Sequence, residues 1–380
     1  MRALKTRMRL LFLAPANSVH SARWIRWFAE AGHEVTWISA HPAEVAIPAN
    51  VTLHVLPQDA KVTRWPRWLL NVRRIIRAAN PEVVHVHSLG TYALLAFGVP
   101  NGIPMVATPW GSDIILDANS WWRRAIVRRT LHRSSIYTCD AQHMGPRLVE
   151  FGVDAKRIRF INFGIESERF TPLAATRFEK AGPVEPTERL ADATPLRVLS
   201  LRNLEPVYDV ATLIHAAAIL DSEKLPVAVS IYGGGSLRAE LEALVRERGL
   251  EHCVSFGGRY SHETLPGILE AAEVYVSTST SDAGIAASTA EAMAAGLPVI
   301  VSDSGENAIW ITDGVNGRLF QVGDAAALAK ALAEASQSPA KRRGWAERGM
   351  RTVLDRNDYR TEMGKVESLY RSVSGAPHDR

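Results

Sequence analysis

The sequence has little cysteine and no long apolar run. Cys139 and Cys253 are the two cysteines in 380 residues, and their spacing does not fit a metal-binding motif. We therefore expect no disulfide framework and predict a reducing, cytoplasmic location. No apolar stretch approaches the roughly 18 residues of a membrane span. The short apolar segment 10–16 fits a first strand better than a signal peptide.

Three functional signatures are also missing from the sequence. The G-x-G-x-x-G fingerprint of nicotinamide-binding domains does not follow the first predicted strand. The Asp-x-Asp motif, one form of metal site, does not occur, and no nucleic-acid-binding motif is visible. We therefore expect no cofactor, no metal and no nucleic-acid partner.

The charged residues are distributed unevenly between the two halves. Residues 1–165 hold 21 Lys and Arg against 10 Asp and Glu, a balance of +11, whereas residues 166–380 have a balance of −7. Eight of the ten tryptophans also fall in the first half. This asymmetry predicts two domains that face different partners.

Apolar runs of strand length alternate with helical patterns along the chain. The opening predicts a strand at 9–14, a helix from a Ser21 cap to about Ala31, and a strand at 34–39. The second half repeats this alternation, which is typical of the α/β class. We predict two Rossmann-like, doubly wound domains facing across a cleft. The predicted divisions are an N-terminal domain at 1–170, a linker at 171–195, a C-terminal domain at 196–345, and C-terminal helices at 346–380 that pack back toward the N-terminal domain.

Two helices of the first half carry tryptophan and arginine. Residues 61–79 and 121–133 place apolar side chains at helical spacing, with arginines between them. Basic amphipathic helices of this kind bind anionic lipid surfaces. The alternative is a pair of ordinary packed helices with solvated basic faces, and the sequence leaves both interpretations open.

One stretch of the second half contains several groups that could bind a ligand. Residues 274–305 predict a strand, a polar loop, a helix carrying Glu291, and a second strand. A helix N-terminus at the carboxyl edge of a parallel sheet attracts anions, and Asp282 lies beside it. Arg202 and the turn at Gly233, Gly234 and Gly235 follow neighbouring predicted strands. The alternative is a packed α/β crossover with a tight glycine turn.

Polar and aromatic residues also follow predicted strands of the first half. His20, His87, Trp110 and Asp113 lie at these strand ends or in the loops after them. A purely structural role is the alternative for each.

The segment EAMAAGLPVIVSD, with an acid eight or nine residues before its glutamate, resembles the donor-site signature of retaining GT-B glycosyltransferases of the GT4 type. The resemblance extends over nearly the whole chain. It rests on further segments in the family's order, namely RWIRWFAEAGHEVTWIS, HVHSLGTYALLAFG, TPWGSDI, FGIESERF, SLRNLEPVYDVATLI, IYGGGSLRAELEALV and DGVNGRLF.

The resemblance implies roles for the donor side. Glu291 would bind the ribose hydroxyls, Asp282 the donor sugar, and Arg202 the diphosphate. The backbone of Ala283, Gly284 and Ile285 would meet the sugar and phosphate. The base is expected near Arg259 and Tyr260, and the backbone of Gly233, Gly234 and Gly235 would approach the donor.

The sequence departs from the family pattern at four places. The usual spacing puts the first acid at Ala283, so Asp282 is displaced by one residue. The lysine that usually follows the arginine is missing from 205–209, and Arg259 is the candidate to supply its charge. Residues 17–20 replace a glycine-rich loop, and Trp110 stands where a histidine is common.

Together these observations predict transfer of a sugar from a nucleotide diphosphate sugar to an acceptor hydroxyl, with retention and without metal. His87 is the candidate catalytic residue of the first half, and the acceptor side would comprise Asn17, His20, Trp110 and Asp113. The acceptor is expected to be a glycan or a lipid-linked precursor at the inner membrane face. The alternatives are a nucleotide-sugar epimerase, a phosphorylase, or a sugar-nucleotide-binding protein of weak activity.

Overall fold

A computed structural model describes residues 7–57, 64–110, 112–115, 120–180, 194–282 and 284–375. The chain divides into two compact units, which are described separately. Unit 1 comprises residues 1–163 and 361–380, and unit 2 comprises residues 164–360.

Unit 1 is built on a seven-stranded parallel sheet with the strand order β3-β2-β1-β4-β5-β6-β7. Its elements in chain order are β1 (Arg9–Leu13), α1 (Val19–Glu30), β2 (Glu34–Ser39), β3 (Val51–Val55), α2 (Arg64–Ala79), β4 (Val83–His87), α3 (Thr91–Leu95), β5 (Met105–Thr108), α4 (Ser112–Ile115), α5 (Trp121–Arg133), β6 (Ile136–Cys139), α6 (Met144–Glu150) and β7 (Ile158–Phe160), with 3₁₀ turns at Ala96–Gly98 and Ala155–Arg157.

Unit 2 is built on a six-stranded parallel sheet with the strand order β10-β9-β8-β11-β12-β13. Its elements are α7 (Ser167–Lys180), β8 (Leu196–Ser200), a 3₁₀ turn at Pro206–Tyr208, α8 (Val210–Ser222), β9 (Val227–Tyr232), α9 (Arg238–Glu247), β10 (Val254–Gly258), α10 (Leu265–Ala271), β11 (Val274–Ser277), α11 (Ala287–Ala294), β12 (Val299–Ser302), α12 (Asn307–Trp310), β13 (Arg318–Phe320), α13 (Ala325–Gln337) and α14 (Pro339–Asn357), and the chain continues into α15 (Tyr359–Ser374).

The central strands are buried along their whole length. Every residue of β4, β11 and β12 is buried, as helices on both faces of a parallel sheet require. The strand order reverses between β1 and β4 in unit 1 and between β8 and β11 in unit 2. Ligands of open α/β sheets bind at such switch points, outside the carboxyl ends of the strands. The prediction of two Rossmann-like α/β domains is confirmed.

The first helix begins earlier than predicted. Ser18, not Ser21, is its N-cap, and the Ser18 side chain accepts a hydrogen bond from the Ser21 main-chain N–H. Both serines suit a cap, and the structure uses the one three residues earlier. His20 therefore lies in the first turn of α1 and not in a loop.

The predicted linker was wrong for residues 171–180, which form most of helix α7. The helix buries Phe170 and Ala174 and carries Pro172 inside it. Its Arg177 donates to the main-chain oxygens of Leu269 and Ala272 in unit 2. Phe170, Leu173 and Ala174 of this face follow helical spacing, but the period begins before residue 171 and continues into a segment rich in Pro, Ala, Glu and Thr, which hid it. Residues 181–193 of the predicted linker lie outside the described part of the chain.

The two tryptophan- and arginine-containing helices differ in how they pack. The apolar face of α2 packs into the core of unit 1, where Trp68, Val72 and Ile76 are buried. On α5 the buried side chains are Val127, Thr130 and Leu131, whereas Trp121 is 83% exposed and Trp122 46%. None of the helices in the described ranges combines the length and apolar composition of a transmembrane helix.

The two C-terminal helices, which were predicted to pack toward the N-terminal domain, belong to different units. Residues from Thr361 onward, most of α15, belong to unit 1, whereas α14 belongs to unit 2. The Tyr370 hydroxyl meets His85 Nδ1 inside unit 1, and buried Glu367 lies 3.7 Å from His33 Nε2.

We expect Tyr370→Phe to lower the free energy of unfolding of unit 1 by about 1–3 kcal/mol, because it leaves the buried Nδ1 of His85 without its partner. Urea unfolding followed by tryptophan fluorescence measures this change. Ser372→Ala, at an exposed position of the same helix, is the matched control and should have little effect. Equal stability of the two variants would contradict the role assigned to Tyr370.

Candidate functional site

A buried ion pair lies at the carboxyl edge of the sheet in unit 2. Arg202 follows β8, and its Nη2 donates to Asp282 Oδ1 at 2.5 Å. The two side chains are only 10% and 5% exposed. Asp282 Oδ2 lies 3.5 Å from Asn307 Nδ2. The structure therefore brings together Arg202 and Asp282, which are 80 residues apart in the sequence.

The guanidinium of Arg202 is held on a second side by an aromatic ring. Its Cζ lies 4.4 Å from the ring centroid of Tyr208. Its Nε is buried and has no hydrogen-bond partner among the described residues. A buried guanidinium N–H without an acceptor lowers the stability of the fold unless a ligand accepts its hydrogen bond. The pair thus leaves one donor of Arg202 available.

The glycine turn after β9 packs directly against the segment that carries Arg202. Gly233 has a φ of +150°, and a Cβ there would lie 2.5 Å from the main-chain oxygen of Arg202. Gly235 packs equally closely, since a Cβ would lie 2.2 Å from the main-chain oxygen of Leu204. Arg259 lies over Gly234, where a Cβ would come within 2.6 Å of its Nε. The turn therefore needs glycine, and it places Arg259 beside the predicted site.

Helix α11 supplies the N-terminus that the sequence predicts. Its N-cap is Ala286, which makes no side-chain cap hydrogen bond, and a helix N-terminus of this kind favours an anion. Gly284 precedes it in a left-handed conformation, and Ile285 packs against the core. Ala283 lies outside the described residues. In the first turn, Ser288 Oγ lies 2.8 Å from the hydroxyl of buried Tyr275.

Tyr260 links Glu291 to the ion pair. Glu291 is half-buried on α11, and Tyr260 is half-buried after β10. Burial raises the pKa of the Tyr260 hydroxyl, with further upward contributions from Tyr275 and Glu291 and an opposing one from Arg202. Tyr260 therefore interacts electrostatically with both Glu291 and Arg202, and Arg202 pairs directly with Asp282.

Sequence reasoning missed several polar residues of this edge. Ser200 and Ser277 end strands β8 and β11, and Ser279 follows β11. Their hydroxyls are buried without a hydrogen-bond partner in the described structure, as is Oδ1 of Asn307. The available signal was position, because Ser200 lies at the end of a predicted strand, and Ser277 and Ser279 lie in the polar loop that follows the first predicted strand of 274–305. Glu205 lies in the segment 205–209, where the family's usual lysine is missing. Its carboxylate accepts hydrogen bonds from both the main-chain N–H and the hydroxyl of Ser236.

In unit 1, His87 is the last residue of β4 and is fully buried, so it does not lie in an exposed loop. Its ring centroid lies 4.3 Å from that of His85 and 5.0 Å from that of Trp24. Both ring nitrogens lack a partner among the described residues. Burial, with a smaller contribution from His20, lowers the pKa of His87 to about 3. The imidazole is therefore neutral at physiological pH.

Asp113 holds two loops at the carboxyl edge of unit 1 together. Its carboxylate accepts from the main-chain N–H of Leu89 after β4 and of Trp110 after β5. Burial raises its pKa, and these hydrogen bonds oppose that shift. All of these bonds are internal, so the contacts of Asp113 position Trp110.

Two of the remaining predicted residues lie in an aromatic group at this edge. The ring of His20 lies 6.1 Å from that of Trp110 and 4.9 Å from that of Phe163. The indole Nε1 of Trp110 is buried without a partner in the described ranges. Asn17 is exposed just before the cap of α1. Phe163 begins the segment FGIESERF, which supports the family resemblance but predicts no site role for this residue.

Unit 2 also has a cavity of about 580 Å³ at the opposite edge of its sheet. Arg177, Arg197, Arg342 and Glu273 are among its lining residues. The guanidinium groups are already engaged, with main-chain oxygens in the case of Arg177 and with Glu273 in the case of Arg342. This cavity therefore does not correspond to the predicted site.

One group in the described part of the chain has the composition of a metal site. The ligand atoms of Asp221, His252 and Cys253 lie within 4.8 Å of one another at the surface of unit 2. They lie at the end of α8 and before β10, so at the amino edge of the sheet. None of the predicted site residues belongs to this group.

The neutral state of His87 predicts a pH-dependent stability. The unfolded chain binds a proton near pH 6.5, whereas the folded chain binds it only near pH 3, so acid favours unfolding below pH 6.5. We expect His87 to account for about 2 kcal/mol of the stability lost between pH 7 and pH 5. Urea unfolding at both pH values should show this loss reduced in His87→Asn. It should be retained in the control His132→Asn, at an exposed position of α5, and an equal loss in both variants would contradict the neutral state.

Two family models match complementary parts of the chain. Residues 18–169 match the model described as Glycosyltransferase Family 4, and residues 185–352 match that of Glycosyl transferases group 1. Among curated relatives, the amylovoran biosynthesis glycosyltransferase AmsK of Erwinia amylovora is 31% identical over 51% of this chain and 46% of its own length. The chain thus spans about half the length of that relative. The MMP alpha-(1->4)-mannosyltransferase of Mycolicibacterium hassiacum is 23% identical over 91% of this chain and 92% of its own.

Solved structures show the same fold. Anabaena Alr3699/HepE in complex with UDP has a TM-score of 0.77 at 17% identity and covers 96% of this chain and 100% of its own. The sucrose-phosphate synthase from Thermosynechococcus elongatus has a TM-score of 0.78 at 18% identity, covering 97% and 99%. The two family models together match most of the chain, and the sheets of both units agree with these structures. The chain therefore belongs to the GT4-type glycosyltransferases and has their two-domain, Rossmann-like GT-B fold.

Proposed function

We propose that this protein transfers a sugar from a nucleotide diphosphate sugar to an acceptor hydroxyl, with retention of configuration and without a metal. The cluster at the carboxyl edge of unit 2 carries the proposal. It combines a buried guanidinium that has an unpartnered N–H, an uncapped helix N-terminus, and Glu291. A donor of this class has a matching diphosphate and ribose.

The proposed chemistry needs stabilisation of the departing diphosphate. Arg202 and the N–H groups of α11 supply positive charge and aligned dipoles where negative charge develops as the glycosidic bond breaks. Glu291, as an acceptor-only carboxylate, suits the ribose hydroxyls. The backbone of the turn 233–235 allows the donor to approach closely. The related structure of HepE was solved with UDP-glucose, which is the donor class proposed for this chain.

The acceptor is proposed to be a glycan or a lipid-linked glycan precursor. Several relatives are described by polysaccharide products, amylovoran in Erwinia and colanic acid in Escherichia coli. In unit 1, His20, Trp110 and Phe163 offer aromatic rings, and Trp110 offers an unpartnered N–H. Rings with a polar tip suit a sugar, which has both apolar faces and hydroxyls. His87 lies behind this group as the proposed catalytic residue of unit 1.

We also propose that one end of helix α5 contacts an anionic membrane surface. Trp121 and Trp122 are exposed there, and Arg123 lies over the ring of Trp122 at 5.1 Å. Tryptophan prefers the membrane interface, and basic residues near it contribute on the order of 1 kcal/mol each. Helix α2 contributes its exposed arginines and Leu70, because Trp68, Val72 and Ile76 of its apolar face are buried.

Removing either proposed donor ligand should suppress transfer. We expect Arg202→Ala and Glu291→Ala to lower kcat/KM by about 100-fold or more, since each loses a charged contact to the donor. Sugar transfer is measured with UDP-, GDP- and ADP-sugars and a panel of glycan acceptors. The matched controls, Arg238→Ala and Glu242→Ala, remove an ion pair at the surface of α9 and should retain activity. Near-wild-type turnover in both site variants would refute the assignment.

The membrane proposal predicts salt-sensitive binding to vesicles. The protein should co-sediment with phosphatidylglycerol-containing vesicles at low salt and dissociate as salt rises, because exposed charges are screened. Trp121→Ser combined with Trp122→Ser should weaken binding by about tenfold or more. Arg246→Gln combined with Arg248→Gln, at exposed positions of unit 2, is the control for loss of charge elsewhere. Failure of the wild-type protein to bind at low salt would end the proposal.

A further inference from the structure

The resemblance assigns Asp282 to the donor sugar, but its contacts lie elsewhere. Its carboxylate accepts from Arg202 Nη2 at 2.5 Å, and Asn307 Nδ2 lies 3.5 Å from its other oxygen. Its side chain is only 5% exposed. The acid is therefore committed to the arginine that is proposed to bind the diphosphate.

The ion pair changes what Arg202 offers to an anion. A guanidinium has five N–H donors, and Asp282 uses one end of the fork while Tyr208 covers a face. The unpartnered Nε is still available for a hydrogen bond. The negative charge of Asp282, however, cancels most of the long-range attraction that Arg202 would exert on a diphosphate. Arg202 is thus held in place and weakened electrostatically by the same residue.

The geometry points to Asp282 as the built-in counter-ion of Arg202, a positioning residue that fixes the guanidinium and limits how tightly the nucleoside diphosphate binds. This inference rests on the proposed function, because it concerns the diphosphate of the donor and of the product. In a transferase, the nucleoside diphosphate must leave after each turnover. An arginine without a counter-ion in a buried site would hold that product strongly.

The counter-ion role predicts an unusual gain on mutation. Asp282→Asn keeps an oxygen for the Arg202 hydrogen bond but removes the negative charge. We expect it to lower the Kd for the nucleoside diphosphate by about tenfold, through loss of charge repulsion in a partly desolvated site. Product inhibition should increase correspondingly. A merely structural role would weaken binding or leave it unchanged.

Calorimetry with UDP, GDP and ADP identifies the nucleotide that the wild-type protein binds, and the same nucleotide is then titrated into the variants. The matched control is Asp303→Asn, which removes an exposed acid after β12 at the same edge of the sheet. The control should bind as the wild type does. Binding to Asp282→Asn should also fall more steeply with added salt, because the uncompensated arginine attracts the anion more strongly.

Four results are distinguishable. Tighter and more salt-dependent nucleotide binding in Asp282→Asn alone supports the counter-ion role. The role is overturned if this variant binds the nucleotide as weakly as the wild type or more weakly, with a thermal unfolding midpoint like that of the wild type. Selective loss of affinity for the sugar nucleotide would assign Asp282 to the sugar instead. A wild-type protein that binds none of the nucleotides refutes the proposed function itself. Thermal unfolding of Asp282→Ala shows whether the buried arginine needs the oxygen for folding.

Discussion

Burial of parallel strands on both faces is the constraint on which both units depend. Helices cover each face of the sheets, so β4, β11 and β12 carry buried residues throughout. Polar groups that need water or a ligand can then be placed only at the ends of the strands. Ser200, Arg202 and Ser277 lie at carboxyl ends in unit 2, as His87 does in unit 1.

Within unit 2, electrostatics and close packing act on the same few residues. The glycine turn lets the main chain of Arg202 and Leu204 pack against it, so the loop after β8 has a fixed course. That course presents the guanidinium to Asp282 and Tyr208. A buried pair of opposite charges is sensitive to any third charge in the site, because the surrounding dielectric is low. The diphosphate of the proposed donor would be such a third charge.

Unit 1 uses buried polar contacts for a different purpose. Asp113 joins the loops after β4 and β5 through main-chain hydrogen bonds, which positions Trp110. His85 joins the sheet to helix α15 through Tyr370, so the C-terminal segment completes a unit that begins at the N-terminus. The histidines and aromatic rings between these anchors form a neutral, close-packed group. Unit 1 thus offers rings and N–H donors at its edge, whereas unit 2 offers charge.

The sequence by itself determined the alternation of strands and helices, the α/β class and the region of Arg202 and Glu291, because apolar periodicity and glycine turns are local signals. It also indicated the family through the segment EAMAAGLPVIVSD and the order of further segments along nearly the whole chain. Only the tertiary structure decided that Asp282 pairs with Arg202, that the apolar face of α2 packs into the core, and that α7 is a helix. Each of these depends on partners distant in the chain: Asp282 is 80 residues from Arg202, and Arg177 of α7 is 92 residues from Leu269. A local sequence pattern cannot choose among such partners, because burial and charge pairing are established only when each unit folds.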